Sequence, residues 1–358
     1  MKKKILYFTQ VPWGWIKQRP QFLAEELASY YDVDVVFFHD YKKYPKEGMK
    51  VGIKQLLRLP LERILAVSFI NQLLAYIQLY FLRKKYDIIW LTSYKQYKYF
   101  SAHNDHQIII YDCMDDVLEF PGAKNKKKSI MEQESLLFKE ANYVFCSAEH
   151  LRSTLIDRYG QRSIVVINNA VSNTIERSPL NLPNALQQLL PVESLNITYI
   201  GTIAEWMDWK LLKFLVETNN NVRINLFGPI ACIVPDLPER ICLHGPIDYK
   251  YVSAVMNASD ILIMPFLVTE LIKSVNPVKL YEYIYSGKPC IAPRYGESAP
   301  FGEYVYLYND STECCYLIRK IEAASCAPKQ SKENCRLYAL KNTWLQRAAS
   351  IYNTIEEK

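Results

Sequence analysis

Short apolar runs alternate with helical segments along most of the sequence, and this alternation limits the possible folds more than any other feature. The run KILYFTQ at residues 4–10 is followed by the helical QFLAEELASYY at 21–31, and then by VDVVFF at 33–38. DIIWLTS, QIIIYD, YVFCS and SIVVIN are later runs of the same kind. Continuous apolar strands are typical of parallel sheets that are covered on both faces. The pattern therefore predicts a doubly wound α/β domain.

The second half of the chain repeats the pattern. Residues 171–195 contain three Pro and no strand period, and the runs then resume as NITYIG, VRINLFG, ICLHG, DILIMPF, KPCIAP and YVYLYN. A chain of 358 residues is also more than one core usually fills. We expect α/β domains at 1–175 and 196–336, a linker at 176–195 and an amphipathic helix at 337–358 that packs back towards the N-terminal domain.

The charge is uneven, and the cysteines form no metal-binding pattern. Residues 1–180 hold 26 Lys+Arg and 19 Asp+Glu, whereas the remainder is close to neutral. A basic half suits a polyanion, and an anionic membrane surface is favoured over nucleic acid because no nucleic-acid motif accompanies the charge. The nine Cys lack metal spacing, several lie in apolar runs, and no signal peptide is recognisable. These features predict a cytoplasmic protein, peripheral on the inner face of the cell membrane.

Residues 64–82 form an uncharged stretch that is nearly as long as a membrane span. The stretch is ILAVSFINQLLAYIQLYFL, and Asn71, Gln72 and Gln78 interrupt it. Arg and Lys bracket it on both sides, and a strand follows at once. Three interpretations remain open: a helix packed on the sheet, a helix at the membrane interface, and a true span. The polar residues favour the first two.

The stretch SVNPVKLYEYIYSGKPC at residues 274–290 has the signature of a helix that begins after a strand. Asn276 is suited to the N-cap, Pro277 to the first helical position and Gly287 to the end. Lys279 and Glu282 lie three residues apart on one face. A helix N-terminus holds a diphosphate well, and Glu282 one turn later suits two ribose hydroxyls. Spacing alone fits a surface ion pair equally well.

Two stretches of the first half also carry chemistry. YDCMDD follows a predicted strand and supplies Asp112, Asp115 and Asp116, whose mutual repulsion raises a pKa as a general base requires. A helix N-cap with acidic first-turn residues is the structural alternative, and Asp112 suits it best.

In PWGWIKQRPQ, Gly14 permits close backbone approach, Trp15 suits stacking on a sugar ring, and Arg19 suits a donor phosphate or anionic acceptor. In EWMDWK, Trp206 is a further candidate for the site. For each stretch, a purely structural role stays open.

Several segments together resemble a known group of enzymes. NPVKLYEYIYSGKPCIA looks like the nucleotide-sugar segment of two-domain (GT-B) glycosyltransferases of group 1 or family 4. PWGWIKQRPQFLAEELA, YDCMDD and GTIAEWMDWKLL are similar, in order, to the branch acting in envelope polysaccharide and teichuronic-acid-type synthesis. The resemblance spans nearly the whole chain. It implies two Rossmann-like domains facing a central cleft, with the donor bound by the second domain and the acceptor by the first.

The resemblance also implies roles for individual residues. Glu282 matches the ribose-binding glutamate. The turn that binds the donor diphosphate matches Val275, Asn276, Pro277 and Lys279. The loop after the first strand of the donor domain matches Gly201 and Thr202. The region that holds the base matches Phe227, Gly228, His244 and Ile247. Ser274 departs from the pattern, because many relatives have a second glutamate there, near the donor sugar. Glu270 is nearby in sequence, but its spacing gives no reason to substitute it.

The predicted function is transfer of a sugar from a nucleoside-diphosphate sugar, expected to be a UDP-sugar, to a saccharide or lipid-linked saccharide in cell-surface polysaccharide synthesis. Asp115 or Asp116 is expected to contact the acceptor. No metal is expected, because helix dipoles and Lys or Arg manage the diphosphate in such folds. The alternatives are a nucleotide-sugar epimerase or hydrolase on the same fold, and a non-catalytic regulatory subunit of a glycosyltransferase.

Overall fold

The chain divides into two compact units. The computed structural model describes residues 2–11, 13, 17–38, 50–61, 64–100, 106–172, 175 and 181–357. The first unit comprises Met1–Asn169 and Trp344–Lys358, and the second comprises Ala170–Thr343. The division precedes the predicted linker at 176–195, because Val171 and Leu190 both pack in the core of the second unit.

The first unit contains a parallel seven-stranded sheet. Its strands are β1 (Lys4–Phe8), β2 (Asp32–Phe38), β3 (Gly52–Leu56), β4 (Ile88–Leu91), β5 (Ile108–Cys113), β6 (Tyr143–Cys146) and β7 (Val165–Val166). They lie in the order β3-β2-β1-β4-β5-β6-β7. The predicted strands are confirmed, and β3 at the edge is an addition. The order reverses between β1 and β4, and the carboxyl ends of strands beside such a reversal are where ligands of open α/β sheets bind.

The second unit contains a parallel six-stranded sheet. Its strands are β8 (Leu195–Ile200), β9 (Val222–Phe227), β10 (Ile241–Gly245), β11 (Ile261–Ile263), β12 (Cys290–Pro293) and β13 (Tyr306–Tyr308), in the order β10-β9-β8-β11-β12-β13. Each strand matches a predicted apolar run. The order reverses between β8 and β11, so the segments after these two strands lie at the expected binding edge.

Helices connect the strands in both units. In chain order they are α1 (Arg19–Leu27), α2 (Leu65–Arg83), α3 (Tyr94–Tyr97), α4 (Lys127–Glu140), α5 (Glu149–Tyr159), α6 (Asn184–Gln187), α7 (Trp209–Thr218), α8 (Val252–Ala258), α9 (Glu270–Lys273), α10 (Val278–Ser286), α11 (Ser311–Ala323), α12 (Lys332–Leu340) and α13 (Trp344–Glu356). Of the helices within the described residues, α2 is long and apolar enough to cross a membrane.

The predicted helix at 337–358 is in fact two helices, α12 and α13. The chain leaves the helix after Leu340 because the Val171 amide donates to the Asn342 carbonyl, 2.9 Å away, and Val171 pairs with Thr343 in a β-bridge. α13 packs on α1 within the first unit. There the rings of Phe22 and Trp344 stack with their centroids 5.5 Å apart. The final helix is therefore part of the first unit's own core.

Candidate functional site

The segment between β11 and β12 carries the residues assigned to the donor. α10 runs from Val278 to Ser286, and its C-cap is Gly287, whose φ of +68° lies in the left-handed region and confirms the predicted end. The predicted start is wrong by one residue, because Pro277 occupies the N-cap position. The Asn276 carboxamide accepts a hydrogen bond from the Tyr281 hydroxyl at 3.4 Å. No described side chain caps α10, so its first amides are left available to an anion.

Lys279 and Glu282 form an ion pair at this helix start. The Lys279 ammonium lies 2.8 Å from Oε2 of Glu282, whose side chain is 4% exposed against 27% for Lys279. The Tyr249 hydroxyl donates to the other carboxylate oxygen at 3.4 Å. A lysine in the first turn opposes the helix dipole. The pair therefore places positive charge where the helix alone would disfavour it.

Tyr249 joins this site, although the sequence analysis did not identify it. Burial raises the pKa of its hydroxyl well above the ordinary value, and the neighbouring Glu282 charge adds to the rise. The hydroxyl therefore stays protonated and donates to Glu282. The chain has 27 Tyr, and nothing in the spacing of Tyr249 distinguishes it from the others. Only the tertiary fold brings it to α10.

Two glycine loops meet at the carboxyl edge of the same sheet. A Cβ on Gly228, whose φ is +149°, would lie 1.8 Å from the Gly201 carbonyl oxygen. A Cβ on Gly201 would lie 2.5 Å from the Tyr199 hydroxyl, which donates to the Thr202 carbonyl at 2.9 Å. Both positions therefore require glycine. The result is a strip of bare backbone after β8 and β9, as the resemblance implies for a loop that approaches phosphates.

The region assigned to the base contains a neutral histidine. The His244 ring stacks on Phe227 with centroids 4.6 Å apart, and its Nε2 lies 2.9 Å from the Asn225 carboxamide oxygen. Burial, and then the charge of Arg223, lower the pKa of His244. Nε2 therefore carries the proton, and Nδ1 is an acceptor. Phe227 is fully buried, so His244 stacks on a core side chain. Ile247, also assigned to the base, is half-buried and packs against the core of the second unit.

Ser274 and Val275 connect α9 to α10. Ser274 is buried, and its hydroxyl has no hydrogen-bond partner among the described residues. The Val275 carbonyl accepts from the Tyr295 hydroxyl at 3.0 Å, which fixes the backbone just before the helix. Glu270 pairs with Lys273 in α9 at 2.7 Å, with its side chain 64% exposed. The acid expected near the donor sugar is thus replaced here by a small buried hydroxyl.

The structure assigns Arg19 a role different from the predicted phosphate contact. Its side chain is buried, and it forms a two-pronged ion pair with Asp112 at 2.8 and 3.3 Å. It also donates to the Ile167 carbonyl at 2.6 Å and to the Asn169 carboxamide at 3.3 Å. The guanidinium is therefore enclosed by β5 and the end of β7. Asp112 is structural, but as a residue of β5 paired with Arg19; the cap predicted for it is formed by Asp116 instead.

The remaining two acids of YDCMDD have different surroundings. Asp116 is buried, and both its oxygens accept from Arg158 at 2.6 Å, while Oδ1 also caps the turn at Leu118. Asp115 is solvent-exposed. Desolvation raises the pKa of Asp115 to about 6; Arg19 opposes the rise, and Asp112 and Asp116 add to it. Of the predicted pair, Asp115 alone combines access with a raised pKa.

Trp206, Gly14 and Trp15 are the remaining candidates from the sequence. Trp206 is half-buried and packs on Phe266 with ring centroids 6.1 Å apart. Gly14 and Trp15 lie outside the described residues. No group of three or more His, Cys, Asp or Glu is placed to share a metal ion in the part of the chain that the structure describes.

One curated protein is similar to this chain in sequence. No family model matches the sequence. The chain is 26% identical over 216 residues to a protein of Bacillus subtilis (strain 168) named for teichuronic acid biosynthesis, the glycosyltransferase TuaH. The match covers 56% of this chain and 54% of that relative, so it extends over about half of each protein.

Comparison with solved structures covers the whole chain. Anabaena Alr3699/HepE, in complex with UDP and glucose, superposes with a TM-score of 0.76 at 15% identity, over 100% of both chains. Sucrose-phosphate synthase of Thermosynechococcus elongatus gives a TM-score of 0.76 at 14% identity, over 99% of both chains. Both sheets, their strand orders and these similarities lead to one assignment: the chain has the fold of the GT-B glycosyltransferases.

Proposed function

We propose that the protein is a glycosyltransferase that moves a sugar from a UDP-sugar to a saccharide or lipid-linked saccharide of the cell surface. The observation that carries this proposal is the buried Glu282 paired with Lys279 at the uncapped start of α10. HepE, a structural neighbour, was solved with UDP and glucose. TuaH, the sequence relative, is named for teichuronic acid biosynthesis. These similarities support the UDP donor and the class of acceptor.

The second unit is the proposed donor site. Glu282 accepts hydrogen bonds from the two ribose hydroxyls, and it is already desolvated, so little solvent reorganisation opposes this contact. The amides at the start of α10 and the Lys279 ammonium stabilise the diphosphate as it leaves with an added negative charge. These groups supply the positive charge without a metal ion, and metal-independent transfer is part of the proposal.

Asp115 is the proposed general base. The bond from the sugar's anomeric carbon to the diphosphate breaks as a bond to the acceptor oxygen forms, and the acceptor hydroxyl gives its proton to Asp115. A carboxyl with a pKa of about 6 is mostly ionised at neutral pH, yet it is more basic than an ordinary aspartate. Asp116 is unsuited to this role because Arg158 occupies both of its oxygens.

Product analysis with and without an acceptor tests the proposal. Purified protein is incubated with each common UDP-sugar, alone or with detergent-extracted lipid-linked saccharides, and UDP, free sugar and glycosylated lipid are measured. We expect acceptor-dependent UDP release with the sugar recovered on the acceptor. Sugar that is hydrolysed or epimerised at a rate independent of acceptor would show an epimerase or hydrolase instead.

A further inference from the structure

The solvent face of α2 is apolar, which reverses the usual pattern of a surface helix. Its residues in contact with the rest of the unit form one stripe at four-residue spacing, Asn71, Ala75, Leu79 and Arg83. On the opposite side are Leu65, Phe69, Ile70, Leu73, Tyr76, Ile77, Tyr80 and Phe81, all exposed. Leu65 is 88% exposed, Phe69 70% and Phe81 66%. A helix that packs only on its own sheet carries polar residues on that side.

Three polar residues of α2 are hydrogen-bonded to other parts of the unit, although Gln72 remains exposed. The Asn71 carboxamide accepts from the Leu59 amide at 2.7 Å and donates to the Leu59 carbonyl at 3.0 Å. Gln78 forms the same two bonds with Leu57, at 2.9 and 3.2 Å. Gln72 accepts from the Lys98 ammonium at 3.2 Å. The three residues that interrupt the apolar run are therefore bound to protein groups.

These bonds extend the apolar surface beyond the helix. They hold residues 57–59 alongside α2, and Leu57, Leu59, Leu61 and Ile64 are all exposed. We call the exposed apolar residues of 57–81 the α2 surface. Scattered exposed apolar side chains are common, but a continuous set of this size indicates an interaction site.

Positive charges border the α2 surface. Residues 50–86 contain seven Lys and Arg and one acid, Glu62. Lys84 lies 3.3 Å from the Tyr80 hydroxyl and 4.4 Å from its ring centroid, and Lys98 contacts Gln72. Arg58, between the two anchored leucines, lies over the Phe38 ring at 5.4 Å.

We propose that the α2 surface is a docking site for an anionic lipid bilayer, in which α2 lies flat in the interface with Phe69 and Phe81 among the acyl chains. Basic residues around an apolar helix face are complementary to anionic headgroups, and Tyr76 and Tyr80 suit the headgroup level. A second copy is disfavoured, because a twofold dimer would pair this face with itself and so bring two basic borders together. A span is disfavoured, because it would break the Asn71 and Gln78 bonds.

Vesicle flotation tests this docking without reference to sugar transfer. The full-length protein is mixed with preformed phosphatidylcholine vesicles that contain about 30 mol% phosphatidylglycerol, or none. We expect flotation with the anionic vesicles, several-fold less with the neutral ones, and release by about 1 M salt. Absence of flotation with anionic vesicles overturns the proposal, and so does protein that resists both high salt and alkaline carbonate, because that behaviour shows insertion.

Two double variants that each add two negative charges test whether the membrane contact lies at α2. Phe69→Asp/Phe81→Asp is expected to lower partitioning at least tenfold. Its control, Val192→Asp/Ile233→Asp, changes two residues of the second unit that are 96% and 95% exposed, and it should partition as the wild type does. Lys84→Glu/Lys85→Glu provides a second test and should lower binding to anionic vesicles only. All three should unfold at the wild-type temperature.

Two further outcomes would contradict the docking. One is a loss in the control as large as the loss in the Phe variant, because net charge would then explain both. The other is a dimer in light scattering that Phe69→Asp/Phe81→Asp converts to monomer, because a second copy would then be the partner of the α2 surface.

Discussion

Two lysine–glutamate pairs with the same three-residue spacing lie in neighbouring helices of the second unit. They differ in burial and in the order of acid and base along the helix. In α9, Glu270 and Lys273 are 2.7 Å apart with side chains 64% and 43% exposed. In α10, Lys279 and Glu282 are 2.8 Å apart, and the glutamate is only 4% exposed. The first pair has its acid before its base, the order that suits a helix dipole, and the second has the reverse.

The difference shows which features mark a site. An exposed pair at this spacing contributes only about 0.3–0.5 kcal/mol, so α9 needs no further explanation. The α10 pair carries two costs, a desolvated carboxylate and a cation at a helix start, and Tyr249 offsets only part of them. A local arrangement that opposes stability is expected where a ligand binds. In the first unit the relation is reversed, because the candidate there is the exposed Asp115, and the enclosed Asp116 and Asp112 are held by arginines.

The largest expected effect concerns Asp115. Asp115→Asn removes the proposed base, so turnover should fall about 10²–10⁴-fold, with UDP affinity unchanged. Steady-state rates and calorimetric titration measure the two quantities. Asp116→Asn is the control, because it should lower the free energy of unfolding through loss of its Arg158 contacts while its residual activity keeps the wild-type pH dependence. Equal loss of turnover without loss of stability in the control would contradict the assignment.

The pH dependence of Asp115 follows from its pKa of about 6. Because the base must be ionised, turnover should rise as pH increases through about 6. The folded state holds this proton more tightly than the unfolded state, so the Asp115 contribution to unfolding free energy falls as pH rises from its ordinary pKa through about 6. Asp115→Asn should lack that fall and be the more stable protein at neutral pH. A flat rate profile across this window would contradict the role.

Arg19 is a buried charge whose contacts all lie within the first unit. Arg19→Met leaves Asp112 buried without its partner and should cost about 3–5 kcal/mol in urea unfolding. UDP affinity should change little where the variant is folded, since Arg19 makes its contacts within the first unit. A stable variant with weakened UDP binding would restore the phosphate role predicted from the sequence.

Glu282 and Glu270 form a matched pair of tests. Glu282→Ala should weaken UDP binding by at least about 10–150-fold, the loss that a single hydrogen bond to a charged acceptor accounts for. Glu270→Ala makes the same change one helix earlier and should leave affinity within about twofold. Calorimetric titration with UDP compares them. Equal affinities in the two variants would show that burial does not distinguish the pairs.

Lys279 and Lys273 provide a smaller effect of the same kind. Lys279→Met should weaken UDP about tenfold but uridine little, since the charge acts on the diphosphate. Lys273→Met should affect neither ligand. A similar loss for uridine and UDP with Lys279→Met would move the diphosphate away from the start of α10.

The smallest expected effect is that of a chelator. EDTA should leave transfer within about twofold of the untreated rate, because Lys279 and the α10 amides supply the charge that a metal would otherwise provide. Loss of activity on chelation, restored by Mg²⁺ or Mn²⁺, would contradict metal-independent transfer.

The fold follows from the sequence wherever the apolar runs decide it. β3, GIKQL, was missed because an edge strand is half polar and lacks such a run. The break between α12 and α13 depends on backbone bonds to Val171, 171 residues earlier in the chain than Asn342, and no local pattern carries that information.

The site was predictable only in part, for the same reason. Spacing identified Lys279 and Glu282 but could not distinguish them from Glu270 and Lys273, because burial depends on the packed unit. Arg19 and Asp116 carried suitable charges, yet their partners Asp112 and Arg158 come from distant segments. Tyr249 has no sequence signal at all. Long-range packing therefore decides which of several equivalent charges stay accessible.

A structure of the protein crystallised with UDP tests the central claim most directly. We expect the diphosphate at the amides of Val278 and Lys279, and both ribose hydroxyls on the Glu282 carboxylate. UDP bound elsewhere, or bound here without contact to Glu282, would contradict it.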